Sequence, residues 1–234
     1  MSTRALALWF GGALLVAMLL LAPLRLVIDQ LGAPRGLSAT EVAGSAWSGR
    51  LRGVHWRGQA LGDVGLRLRP LALLAGVRRL RLQNGAAGID LLAGRLRGIA
   101  DGDGVIPLDG LPALAGLPLR LSLQDATLVF DGDGCHEAGG QVRVELALPA
   151  PALPPLILAG TPACDGSVAR LALMAEDPGH PLAVEADVGI EADGRYRVHA
   201  LARTEDPAAR LALLAAGFQD GPGGLARVDD GSLL

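Results

Sequence analysis

The stretch Val184-Glu185-Ala186-Asp187-Val188-Gly189-Ile190-Glu191-Ala192-Asp193-Gly194-Arg195-Tyr196-Arg197-Val198-His199-Ala200 decides the fold. Val184, Ala186, Val188 and Ile190 alternate with Glu185, Asp187 and Glu191, the period-two pattern of a strand with one wet and one buried face. Asp193-Gly194 supplies a tight turn, because glycine accepts positive φ without steric cost. Tyr196, Val198 and Ala200 then resume the alternation, so the stretch reads as an antiparallel hairpin.

The same grammar runs outward in both directions. Val142, Val144, Leu146 and Leu148 alternate with Gln141, Arg143 and Glu145. Leu119, Leu121 and Leu123 face away from Arg120, Ser122 and Gln124; the phase then slips at Asp125, and Leu128 and Phe130 continue on even numbers. A bulge or bend is expected there. Leu66 and Leu68 alternate with Arg67 and Arg69, and Leu80 and Leu82 with Arg79 and Arg81. Proline-rich stretches from Pro107 to Pro118 and from Pro149 to Pro162 divide the strands into groups, since proline cannot donate to a ladder.

Glycine (33) and proline (15) together exceed a fifth of the 234 residues, which favours turns and short strands over a helical bundle. Helices are expected to be few. Asp206-Pro207 followed by Ala208 to Phe218 has a capping residue, proline at the first helical position and a stop near Gly217. Leu71 to Ala75 and Asp109 to Ala115 are shorter candidates.

Ala5 to Leu24 is twenty residues without a charge. At 1.5 Å rise per residue that spans roughly 30 Å of hydrocarbon, and it is longer than the apolar run of a cleaved secretory signal. Residues 1–4 are read as a cytoplasmic tail, 5–25 as a transmembrane signal anchor, 26–38 as a linker and 39–234 as a β-rich domain. The expected class is therefore mainly β: a transmembrane helix, then an antiparallel, glycine-rich, curved sheet with a few short helices. Flanking arginines do not orient the anchor, because Arg4 stands on one side and Arg25 and Arg35 on the other.

Charge is segregated along the chain. Residues 1–100 carry 13 Arg against 4 acids, and residues 101–234 carry 8 Arg against 20 acids. A basic part beside an anchor suits anionic headgroups and an acidic part suits another protein, although scattered solvated faces would give the same totals. The basic part lacks the interleaved aromatics that stack bases, so nucleic acid is not an expected partner.

The two cysteines, Cys135 and Cys164, lack the neighbouring ligands of a zinc site. They read either as one disulfide or as two unrelated thiols. A disulfide belongs outside the cytoplasm, which puts residues 26–234 in the periplasm of a Gram-negative cell. Ser48 does not sit in G-x-S-x-G, and no phosphate-binding glycine loop occurs. Asp101-Gly102-Asp103-Gly104 and Asp131-Gly132-Asp133-Gly134 lack the remaining ligand positions of a calcium loop and read as turns. His55, His180 and His199 are isolated. No catalytic residue, cofactor or metal is expected. Trp47 and Trp56 lie between glycines just beyond the anchor, and either pack in the core or sit at the membrane interface.

The order of these residues resembles a family. Val42-Ala43-Gly44-Ser45-Ala46-Trp47-Ser48-Gly49-Arg50, then Val54-His55-Trp56-Arg57-Gly58, Leu61-Gly62 and Arg69-Pro70-Leu71-Ala72-Leu73-Leu74-Ala75-Gly76 are similar to the N-proximal signature of type II secretion system protein N. The likeness continues through Leu158 to Cys164, Asp193 to Tyr196 and Leu213 to Phe218, with Leu66 standing where an aromatic is usual. It marks Trp47, Trp56, Gly49, Gly58 and Pro70 as structural or interface candidates. What it implies is a non-enzymatic inner-membrane component of the secretion apparatus, with other secretion components and the inner membrane as partners. The alternative is an envelope protein of the AsmA type, with its leucine face forming an apolar groove for lipid.

Overall fold

The computed structural model describes residues 9–11, 37–45, 47–56, 59–69, 72, 76–107, 119–147 and 154–232. The chain divides into two compact units, Met1–Asn84 and Gly85–Leu234. Every strand pairing given below is antiparallel.

In the first unit the strands are β1 (Leu37–Ser38), β2 (Glu41–Ser45), β3 (Ser48–Trp56), β4 (Gln59–Leu68) and β5 (Val77–Asn84). Their order is β1-β3-β4-β5, with β2 also on β3. Leu37 and Ser38, the last residues of the stretch 26–38 expected as a linker, pair with Trp56 and His55, and the rest of that stretch lies outside the described residues. Leu51 and Val54 form the buried cluster, backed by Ala39, Val42, Val64 and Leu66. The β3–β4 register shifts around Val54, and the freed Gly53 N–H donates to Asp63 Oδ1 at 3.1 Å.

The second unit contains β6 (Ala87–Gly94), β7 (Arg97–Pro107), β8 (Leu119–Phe130), β9 (Cys135–Leu146), β10 (Leu156–Gly160), β11 (Pro162–Asp165), β12 (Val168–Ala175), β13 (Leu182–Ile190), β14 (Arg195–Thr204), α1 (Pro207–Ala215), β15 (Gln219–Gly221) and β16 (Gly224–Ser232). The order is β6-β7-β8-β9-β10-β12-β13-β14-β16-β15, with β11 on β12. The hairpin read at 184–200 is β13–β14, in register from Leu182↔Thr204 to Ile190↔Tyr196. Consecutive strands mostly neighbour one another, as in a meander.

The phase slip at Asp125 is a bulge. The β8–β9 register shifts between Gln124 and Thr127, and Asp125 adopts φ 50°. Gly140 opposite must lack a side chain, since a Cβ there would lie 2.2 Å from the Asp125 carbonyl oxygen. Asp101 to Gly104, expected as a turn, is instead part of β7, which absorbs its extra residues as two register shifts. The physical reason is local pairing: Asp103 Oδ1 accepts the Asp125 N–H at 2.9 Å and joins the two irregular strands.

Asp206 caps α1 by accepting from Ala208 N at 2.7 Å and Ala209 N at 3.4 Å, and Pro207 opens it. At its other end Gly217 has φ 90°, its N–H donates to Leu214 O, and the Phe218 N–H donates to Leu213 O. That is a Schellman stop, with Phe218 packed back against the cluster that holds Leu213.

Among the described residues no helix is long and apolar enough to cross a membrane. Of the expected anchor at 5–25, only Trp9, Phe10 and Gly11 are described; they are helical, with Trp9 and Phe10 exposed. The helix expected at Asp109 to Ala115 lies outside the described residues, as does the one at Leu71 to Ala75 apart from a helical Ala72.

Candidate functional site

Period-two alternation gives the second unit two chemically distinct faces. On one, Leu156, Leu158, Leu173, Leu182, Val184, Ala202 and Leu225 form a buried cluster, closed by Leu213 of α1. A second cluster of Leu123, Ala126 and Val142 joins it through the shared neighbours Val144 and Leu171. Between α1 and the strands an apolar cavity of about 260 Å³ remains. It is a partly open pocket whose walls are almost wholly apolar.

The cavity's polar groups come from β16. Leu225 opposite Ala202, Arg227 opposite Ala200 and Asp229 opposite Val198 all lie on the aliphatic face. Arg227 Nε and Asp229 Oδ2 pair at 2.7 Å, and Arg227 Nη1 donates to the carbonyl of Ala216 at the end of α1. A cation is well placed there against the helix C-terminal dipole.

The other face is charged. Arg170 pairs with Asp165 at 2.7 Å and reaches Asp187 at 4.0 Å, Arg203 pairs with Glu185 at 3.2 Å, and Arg143 with Glu176 at 2.7 Å. His199 stands opposite Asp187 on this face. Met174, 63% exposed, is an apolar point within it. At the β13–β14 turn Arg195 is flanked by Glu191 and Asp193; the Glu191 hydrogen bond, then the Asp193 charge, hold its guanidinium above the ordinary arginine range.

The sequence candidates separate into several places. Cys135 and Cys164 are joined as a disulfide, Cα–Cα 5.6 Å, which ties the start of β9 to β11. Beside it the Cys135 N–H donates to Ser167 O, and the Asp131 turn packs locally. Asp131 is held below its ordinary carboxylate value chiefly by the Asp133 N–H, opposed by desolvation, with the Gly134 N–H and His136 adding to the lowering.

Trp47 is half-buried between β2 and β3, and its carbonyl accepts from Leu68 N at 3.2 Å. Gly49 pairs with Gly44 and Leu66, and Trp56 closes β3 against Leu37 and Gln59. Gly58 and Pro70 lie outside the described residues. The histidines are tied locally: His180 Nδ1 lies 3.0 Å from both Leu182 O and Leu182 N, and its Nε2 3.2 Å from Pro154 O, while His55 Nδ1 is 3.0 Å from Gly53 O. Among the described residues no three His, Cys, Asp or Glu side chains converge as metal ligands.

Three features were missed in the sequence. Asp90 in β6 is wholly buried, although nothing in its local pattern sets it apart from a surface acid. Arg227 and Asp229 share the phase of Leu225, a signal that was present. Leu211 and Leu214 look outward from α1, at 67% and 37% exposure.

Together these features define a mainly β protein with an aliphatic face, a charged face and a disulfide at one end. The chain belongs to the type II secretion system protein N family: the family described as "Type II secretion system (T2SS), protein N" matches residues 35–227. Membership implies a component of that secretion system and an envelope location. No curated protein and no solved structure gives a significant match.

Proposed function

We propose that this protein is a non-enzymatic, single-pass inner-membrane component of the type II secretion system. Residues 5–25 serve as its anchor, its strands lie in the periplasm, and it supports export of folded proteins by contacting other secretion components. The observation that carries this reading is the family match across residues 35–227.

Three further features support it. The uncharged run from Ala5 to Leu24 is of spanning length, and its described residues Trp9 and Phe10 are helical and exposed. The Cys135–Cys164 disulfide suits an oxidising compartment. The charged face of β12, β13 and β14, in a unit with 10 Arg against 21 acids, suits a partner of net positive charge.

The test is chemical crosslinking in intact cells, followed by purification of the tagged full chain from solubilised membranes. Enrichment of secretion components over an unrelated single-pass control is expected. Recovery of the chain alone, from cells actively secreting, would contradict the reading. Labelling of a cysteine placed at Glu185 by an impermeant reagent, after the outer membrane is opened, tests the periplasmic side.

A further inference from the structure

The cavity beneath α1 has no part in a protein contact made by the opposite, charged face. Its lining from β9, β10, β12, β13 and β14 is aliphatic, and its roof is Ala209, Ala212, Leu213 and Ala216. The charged groups at its edge, Arg227 and Asp229, are engaged with each other. The lining itself decides between occupants. A peptide would bring an N–H and a C=O for every residue into a space whose only charged lining groups, Arg227 and Asp229, are already paired, and a sugar would strand its hydroxyls. Water needs two to four polar partners, and apolar cavities of ~150 Å³ stay dry while taking up hydrocarbon. A volume of about 260 Å³ falls just under the ~300–1,000 Å³ of drug-sized sites, which suits one slender chain.

A second observation points the same way. The outer side of α1 is also apolar: Ala208, Leu211, Leu214 and Ala215 are exposed, and Arg210 is tied to Asp220 at 2.5 Å. Leu211 and Leu214 thus leave apolar surface on the solvent side of a helix whose other side already packs on the aliphatic face. Leucines exposed on the roof of a hydrocarbon-lined space give that roof affinity for a bilayer surface.

We propose that the cavity between α1 and strands β9 to β14 is a binding site for one aliphatic chain, supplied by a membrane lipid or a free fatty acid. Its edge charges cancel, so the site selects the chain and not a charged headgroup. Arg227, by holding the Ala216 carbonyl, fixes the end of the roof over it.

The test exploits adjacent residues of β12 that face opposite ways. Leu173 lines the cavity and Met174 is exposed on the charged face. Diazirine analogues of leucine and methionine are incorporated into the full chain in living cells, irradiated, and the adducts mapped by mass spectrometry. Lipid or fatty-acid adducts at Leu173 and Leu158, and few at Met174, are expected, with the adduct mass naming the source. Insertion of Leu173 only into this chain, insertion into another protein, or equal lipid adducts at both positions each overturns the proposal. Filling the cavity with Ala186→Leu and Ala200→Leu should abolish the lipid adducts while leaving the melting midpoint unchanged or raised. Adducts that persist in a folded, filled variant also overturn it.

Discussion

The two units use the same antiparallel strand chemistry to different effect. Met1–Asn84 carries 11 Arg against 3 acids, and its described buried cluster is Leu51 and Val54. Gly85–Leu234 carries 10 Arg against 21 acids, two linked clusters, a disulfide and a helix packed over its aliphatic face. A sheet face alone buries little. A helix laid across it, with the crosslink at one end, turns the same alternation into a deep core. Local opening is therefore expected first in Met1–Asn84.

The largest effect should come from Leu182→Ala, because Leu182 is 1% exposed at the centre of the main cluster. A loss of about 2–5 kcal/mol is expected, read by urea unfolding. Hydrogen exchange should show protection falling in Gly85–Leu234 only, whereas Leu51→Ala should release Met1–Asn84 only. Joint loss in either variant would break the comparison. Next comes Cys135→Ser with Cys164→Ser. The bridge spans a sequence separation of 29, so its removal should cost roughly 3–4 kcal/mol in the chain-entropy treatment, again confined to the second unit.

Asp206→Ala should cost ~1 kcal/mol by freeing the first amides of α1, seen as faster exchange at Ala208 and Ala209. The smallest effect belongs to Asp131. Its folded value is depressed, so its contribution is present at neutral pH and is lost as pH falls below the ordinary 3.8 through the lower folded value. An NMR titration of the full chain should place its midpoint under 3.8. A midpoint at or above that value would remove the Asp133 amide as the cause.

Legibility followed the strength of local signals. Strands β8, β9, β13 and β14, the slip at Asp125 and the cap and stop of α1 were readable because alternation, proline and glycine each act within a few residues. Asp101 to Gly104 misled because two Asp-Gly pairs look like a turn until β8 supplies a partner for Asp103. The cavity was not readable, since it depends on where α1 lands across strands distant in sequence. The leucine alternation announced an apolar face without saying whether it would be filled or left open. The rest of the second unit's charged face was visible as alternation, but its ion pairs needed the register of three strands.

The most direct measurement is photo-crosslinking in living cells from Asp187, on the charged face of β13, and in parallel from Ser48 beside Trp47. Adducts from Asp187 to other type II secretion components, stronger than those from Ser48, are the predicted result. No secretion component at either position, in cells where the protein is folded and secretion is active, would contradict a partner-contacting role.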